Sequence, residues 1–309
     1  MIHVIDVQSR ATIQDLGRLG LRRFGISQCG AMDKLALRAG NILLGNAEDA
    51  PTIEVPLGGI TLQFQQDMNF CVTGAFYEMT LDDKPVFAYW RYQARAGQVL
   101  KMIRAKIGMY GYLCVQGGFL LPKELNSCST DLRAQIGGME GRGLQAGDQL
   151  QTVNDPILRG EIGIAPIPLK HTIHALPSSE YQAFKRKSQY YWWRSKWTLQ
   201  SSSDRMGYRF QGQKLELKQP LEMLSHAIQF GSVQVPPSGQ PIILMADAQT
   251  TGGYPKIANV IDADLGALAQ VRLGSTIQFE AINLEQAAKL RRKNEIYLDQ
   301  IRRIVDEKN

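Results

Sequence analysis

Along the first half of the chain, apolar and polar positions alternate in short bursts, each closed by glycine, proline, aspartate or asparagine. The stretches IHVIDV (2–7), TIEVPL (52–57), GITLQF (59–64), MNFCVTG (68–74), YEMTLDDKPVFAY (77–89), QVLKMI (98–103) and YGYLCVQGG (110–118) read as strands. The period of two is that of a half-buried sheet. Asp82-Asp83-Lys84, between two alternating runs, marks a hairpin turn. Many short strands at this spacing predict a mainly β protein built from barrels or sandwiches.

One helix interrupts the first half. Asp33 is suited to cap residues 34–44, where Leu35, Ala39, Ile42 and Leu43 share a face and Gly45-Asn46 supplies a left-handed exit. The tract IGGMEGRGLQAGDQL (136–150) holds five glycines without a dinucleotide or P-loop spacing, and reads as loops that let backbone segments pass closely. Proline-rich NDPILRGEIGIAPIPLK (154–170) marks a junction, dividing the chain into a β-rich domain over 1–160 and a β-barrel domain over 161–309.

The second half resumes with HTIHAL (171–176), a helix near 179–188 and the aromatic block YYWWRSKW (190–197), read as core packing in preference to a base-stacking platform. Strands follow at QKLEL, VQVP, QPIILMA, KIANVI and STIQFE, with a short helix around ADLGALAQ (263–270). The chain closes in an amphipathic helix capped by Asn283 with Gln286 at the third position, its apolar side marked by Leu284, Ala287, Ala288, Ile301 and Ile304. That helix is expected to pack on the barrel.

Composition changes this picture little. With 309 residues, 44% hydrophobic and 21% charged, the chain has the makings of two folded domains. It has no apolar run long enough to span a bilayer and no apolar leader, which predicts a cytoplasmic protein without a membrane partner. Cys29, Cys71, Cys114 and Cys128 stand far apart and read as reduced, buried thiols. The net charge of +6 includes clusters at 185–187 and 291–293, but acids are interspersed and the expectation is no nucleic-acid partner. A modest positive field favours anionic metabolites.

GxSxG and HExxH are absent, and His3, His171, His174 and His226 form no ligand cluster, so no metal ligand is assigned and His171 and His174 read as structural. Chemistry is instead expected at polar, glycine-rich strand exits: TIQDLGRLG (12–20), ISQCGAMD (26–33), SSDRMGYRFQG (202–212) and the long run from Met223 to Pro255. Within QTTGGYPKIANVI (249–261), Gly252 and Gly253 would permit positive φ and close approach, Gln249, Thr250 and Thr251 supply hydrogen bonds, and Pro255 fixes the exit. Arg205, Arg209, Asp247 and Lys256 add charge suited to a small, polar substrate.

These same stretches carry a resemblance. ATIQDLGRLG, GISQCGAMD, NSCSTDLRAQIGGMEGR, RMGYRFQG, VQVPPSGQPI and ADAQTTGGYPKIA are similar to the 5-oxoprolinase C-subunit family, also called KipA-type or biotin-dependent carboxyltransferase-like. The resemblance covers essentially the whole chain. It implies barrel domains related to the cyclophilin-like fold, and a role in ATP-dependent opening of 5-oxoproline to glutamate. In that role the 5-oxoprolinase B subunit would be the direct partner, with the A subunit in the same complex. ATP and Mg²⁺ would be shared with the partner, and no biotin would be attached here. Leu100-Lys101-Met102 lacks the methionine that precedes lysine in a biotin attachment site.

On that resemblance Arg205, Asp247, Gln249 and Lys256 are the expected catalytic residues, and Tyr208, His226, Thr250, Thr251, Gly252, Gly253 and Tyr254 the expected substrate contacts. Arg205 and Lys256 would neutralise phosphoryl charge, with Asp247 as a base or metal partner. Relatives often read SNRMGYR where this chain has Asp204 in place of the amide. Two other activities fit the same family: carboxyl transfer from a biotinylated carrier, and non-enzymatic binding of a kinase-inhibitor partner.

Overall fold

In the computed structural model, residues 1–308 are described, apart from 154 and 159, which belong to the proline-rich junction. The chain forms two compact units. The first comprises residues 1–18, 29–168 and 294–309, and the second residues 19–28 and 169–293. This differs from the division expected from the sequence, because residues 19–28 group with the later unit and the end of the C-terminal helix with the earlier one.

Ten strands make one sheet in the first unit: β1 (Ile2–Val7), β2 (Thr12–Gln14), β3 (Thr52–Pro56), β4 (Ile60–Phe64), β5 (Met68–Leu81), β6 (Lys84–Pro85), β7 (Trp90–Ala94), β8 (Val99–Val115), β9 (Gln149–Leu150) and β10 (Ile162–Gly163). The long antiparallel pair β5 and β8 is its spine, with β7 and β4 alongside. Asp82 and Asp83 turn the chain from β5 into β6 with φ of 47° and 63°, as the hairpin signal required.

Helix α1 (Lys34–Leu43) begins where the Asp33 carboxylate accepts from the Ala36 N–H at 3.1 Å. It lies close on the sheet. A Cβ on Gly40 would stand 2.6 Å from Cys114 Sγ, and Thr73 donates its hydroxyl to Ala36 O at 2.7 Å. All four cysteines are buried.

The second unit contains β11 (Thr172–Pro177), α2 (Arg186–Arg194), β12 (Trp197–Leu199), β13 (Gly207–Gln211), β14 (His226–Ala227), β15 (Ser232–Gln234), β16 (Ile242–Leu244), β17 (Thr251–Gly252), β18 (Lys256–Val260), α3 (Asp262–Ala269) and β19 (Thr276–Ala281). Seven of these strands close a barrel in the order β11-β18-β15-β16-β13-β12-β19, sealed by parallel pairing of β11 with β19. Alternation explains the closure: Ile173 and Ala175 on β11 and Ile277 and Phe279 on β19 point inward and are buried. The ring of Phe279 stacks on Trp192 at 4.2 Å between centroids, so Phe279→Ala would cost about 3–5 kcal/mol.

The aromatic block does not follow a helix, as the sequence pattern implied. It forms most of one: α2 begins at Arg186 and contains Tyr190, Tyr191, Trp192 and Trp193. Trp192 and Trp197 are core, whereas Tyr190 is 63% exposed. His174 is structural, its Nδ1 lying 2.6 Å from the buried Asp264 carboxylate, which also receives Lys170 Nζ at 2.6 Å.

The final helix, α4 (Leu284–Lys308), starts at a reciprocal cap: Gln286 N–H donates to Asn283 Oδ1 and Asn283 N–H to Gln286 Oε1, both at 2.9 Å. Its buried stripe is Leu298, Ile301 and Val305, spaced three and four residues apart. Leu284 and Ile304, expected on that face, are exposed. Within the first unit Arg38 grips both Glu295 oxygens at 2.8 and 2.9 Å, which fixes this stretch of α4 to α1. Among the described residues no helix is long and apolar enough to cross a membrane.

Candidate active site

Strand β15 lies between β16 and β18 in the barrel, and its last residue, Gln234, sits opposite Lys256, the first residue of β18. Just outside, the short ribbon of β14 and β17 pairs His226 with Gly252. Lys256, His226, Gly252 and Gln234 are thereby gathered from four separate strands.

Lys256 is 9% exposed. Its ammonium lies 2.5 Å from His226 Nε2 and 3.7 Å from Glu180 Oε2. The same Glu180 oxygen accepts the Lys256 backbone N–H at 3.1 Å, and the Ser178 hydroxyl donates to Lys256 O. Burying an ammonium costs several kcal/mol unless an opposite charge faces it, and Glu180 is that charge. His226 Nδ1 faces Leu224 O at 3.2 Å. A carbonyl can only accept, so Nδ1 carries the proton of the neutral ring and Nε2 accepts from Lys256.

Gln234 is 3% exposed and its Nε2 has no hydrogen-bond partner among the described residues. A Cβ on Gly252 would stand 2.6 Å from that nitrogen and 3.0 Å from Ile228 Cδ1. A side chain at 252 would therefore require the buried Gln234 amide to move. The expected positive φ is absent at both Gly252 and Gly253, because β17 and its exit keep φ outside the left-handed region. At Gly253 the nearest atoms to an added Cβ are Met223 O at 3.4 Å and Ser225 Oγ at 3.6 Å, ordinary contacts.

A second cluster holds the loop that leads to the ribbon. Arg205 closes its planar fork on Asp247, with Nε to Oδ2 at 2.8 Å and Nη2 to Oδ1 at 2.7 Å, both side chains 13% exposed. The Asp247 N–H donates back to Arg205 O at 2.9 Å. Asp204, the departure from the family pattern, does not pair with Arg205 there; its carboxylate accepts the N–H groups of Met206 at 2.9 Å and Gly207 at 3.2 Å, closing a local turn.

The remaining expected residues separate. Gln249 is fixed through its backbone carbonyl, which accepts from Arg22 at 2.9 Å while the same guanidinium holds Ile228 O at 2.6 Å. Thr250 O accepts from Ile228 N at 3.1 Å, and Thr251 lies exposed on β17. Gly253 and Tyr254 line a cavity of about 510 Å³ beside Leu221, Val235 and Pro236. Tyr208 is fully buried and donates its hydroxyl to Ala269 O at 2.9 Å, a core position in the barrel.

Glu180, Gln234 and Arg22 escaped sequence reasoning. Glu180 lies in a serine-flanked turn, Gln234 between two valines and Arg22 in a basic run, and only long-range pairing brings them to these positions.

No three acids, histidines or cysteines come together to hold a metal ion among the described residues. Asp247, the expected metal partner, has both oxygens committed to Arg205.

The chain belongs to the family described as carboxyltransferase domain, subdomain A and B, matched over residues 24–281. Within it, the chain is 89% identical over 309 residues to the 5-oxoprolinase C subunit of Haemophilus influenzae, covering 100% of both. It is 47% identical to the 5-oxoprolinase C subunit of Escherichia coli, covering 97% of each. Among solved structures, K. lactis urea amidolyase superposes with a TM-score of 0.90 at 25% identity, over 97% of this chain and 20% of the longer one.

Proposed function

We propose that this chain is the C subunit of an ATP-dependent 5-oxoprolinase and acts with the A and B subunits to open 5-oxoproline to L-glutamate. The observation that carries the reading is the 89% identity, end to end, to a 5-oxoprolinase C subunit. The buried Lys256 group supplies chemistry that suits it.

A lactam resists water because its nitrogen donates into the carbonyl. Transfer of the γ-phosphoryl group to the lactam oxygen forms an O–P bond, breaks the bond to ADP and leaves an imidate-like carbon. Water adds to that carbon, the ring C–N bond breaks with the nitrogen leaving as the amine, and the acyl phosphate so formed is hydrolysed by a second water to the carboxylate and phosphate. Negative charge gathers on the oxygens during the first step. Lys256, held rigidly by Glu180 and His226, presents an ammonium N–H where its field is weakly screened.

His226 acts as a positioning residue, accepting one ammonium hydrogen and aiming the others. Arg205 and Asp247 hold the entrance to the 249–252 ribbon in register. Mg²⁺ in such a reaction would neutralise phosphate charge, and the ligands for it would come from the nucleotide and another subunit. The test is glutamate release from 5-oxoproline and ATP by purified subunits with each omitted in turn. Release that requires this chain supports the reading, and unchanged release without it refutes it.

A second reading has one observation in its favour, the likeness to urea amidolyase. It is carboxyl transfer from a biotinylated carrier supplied by another protein. Capture of a biotinylated partner on streptavidin together with this chain would favour it.

A further inference from the structure

Helix α2 buries one stripe, Ser188 and Trp192, against the barrel. The neighbouring stripe remains outside the core: Arg186, Tyr190, Trp193 and Arg194 recur at offsets of four, seven and eight residues and share a face. That face lines a cavity of about 860 Å³, closed opposite by Tyr181 and by residues 278–281 of β19. The volume lies in the range of small-molecule sites, and every lining residue belongs to the second unit.

The aromatic floor is preset. Trp193 Nε1 donates to the Tyr181 hydroxyl at 2.9 Å, and Gln278 Nε2 donates to Trp193 O at 3.1 Å. The indole has therefore spent its only donor and offers an apolar ring surface whose orientation need not be frozen on binding. Tyr190 adds a second, exposed ring. Arg186 and Arg194 stand at the two ends of the stripe, about 12 Å apart along the helix axis. Among the described residues neither is drawn into a hydrogen bond or ion pair, whereas the adjacent Lys185 is paired with Glu216 at 2.9 Å. Glu280 is the one carboxylate in the lining, so the cavity stays net positive.

We infer that this cavity is a nucleotide-binding site, in which a flat base rests on Trp193 and Tyr190 and the phosphate end meets one of the two arginines. Aromatic faces accept any base, and guanidinium groups match phosphate oxygens, whereas a lone aromatic or a lone arginine would select neither. The inference rests on the cavity's own chemistry. It goes beyond the reaction proposed above by giving the nucleotide a place on this chain, and binding is read without turnover, so either can fail alone.

The test is calorimetry on the full chain with ADP, with adenosine and inorganic phosphate as comparisons. The expected result is saturable binding of ADP at least about tenfold tighter than either fragment, because base and phosphate contacts act together. An Arg186→Ala/Arg194→Ala double variant, both sites being exposed, should keep its Tm and weaken ADP about tenfold or more. Tyr190→Ala should weaken it several-fold. Absence of saturable ADP binding, phosphate binding as tight as ADP, an unchanged affinity in the double variant, or loss of affinity in Lys256→Met alone would each overturn the inference.

Discussion

Lys256 Nζ and His226 Nε2 are 2.5 Å apart, and the histidine's other nitrogen faces the Leu224 carbonyl. This contact fixes a tautomer. Long-range proton–nitrogen NMR of the labelled chain should show the neutral His226 ring protonated at Nδ1, with Nε2 bare. An Nε2-protonated ring would mean that lysine and histidine do not share a hydrogen, and would remove His226 as the group that aims the ammonium.

Arg205 and Asp247 form a two-bond pair with little exposure, so removing either leaves a poorly solvated charge. Arg205→Ala should lower stability by about 1.5–3 kcal/mol and kcat/KM by about 10- to 150-fold, because the loop it holds leads to the ribbon. Arg205→Lys should recover part of each, since an ammonium keeps the charge and loses the fork. Denaturant melts and steady-state kinetics of the two variants check this. Normal stability with lost activity would point instead to Arg205 binding a ligand directly.

The two glycines of the ribbon should behave differently. An added Cβ at Gly252 meets the buried amide of Gln234 at 2.6 Å, while Gly253 has ordinary clearance. Gly252→Val should depress activity by an order of magnitude or more, on the scale of about 1–3 kcal/mol for overpacking, and Gly253→Ala should retain most of it. The comparison is read from activity and solubility side by side. Equal tolerance at both positions would show that Gln234 moves away freely.

In the first unit, Arg142 grips the Asp148 carboxylate with two bonds of 2.8 Å, and the Gln145 N–H adds a third of 2.8 Å. The guanidinium first, and the backbone N–H after it, hold the Asp148 carboxyl below its ordinary range against an opposing effect of burial. A depressed carboxyl stabilises the fold above the unfolded pKa, about 3.9, and that stability is lost as pH falls through the folded value. Asp148→Asn should therefore be less stable than the parent at pH 7, with the gap narrowing at pH 3. A gap independent of pH would mean that packing alone is responsible.

Much of the fold could be read from local chemistry. Asp33, Asp82-Asp83 and the Asn283–Gln286 cap act within a few residues of themselves, and each behaves as its sequence signal demands. Helix α2 escaped because its aromatic residues also suit strands, and tertiary packing of Trp192 on Phe279 decided the matter. The candidate cluster was only partly visible in the sequence. Lys256 and His226 stood out as charged or titratable groups at strand exits, but Glu180 reaches Lys256 across 76 residues, and nothing local to a Ser-Ser-Glu turn announces that. Tyr208 misled for the opposite reason: a polar tip in a glycine-rich motif turned out to serve the barrel core through Ala269.

The most direct measurement is glutamate release by the assembled subunits when this chain carries Lys256→Met, a change that keeps the stem of the side chain and removes its charge. The expected result is an intact complex on size-exclusion chromatography with turnover reduced on the order of 10²–10³-fold. Parental turnover by an intact Lys256→Met complex would contradict the assignment of this barrel-rim lysine to the chemistry.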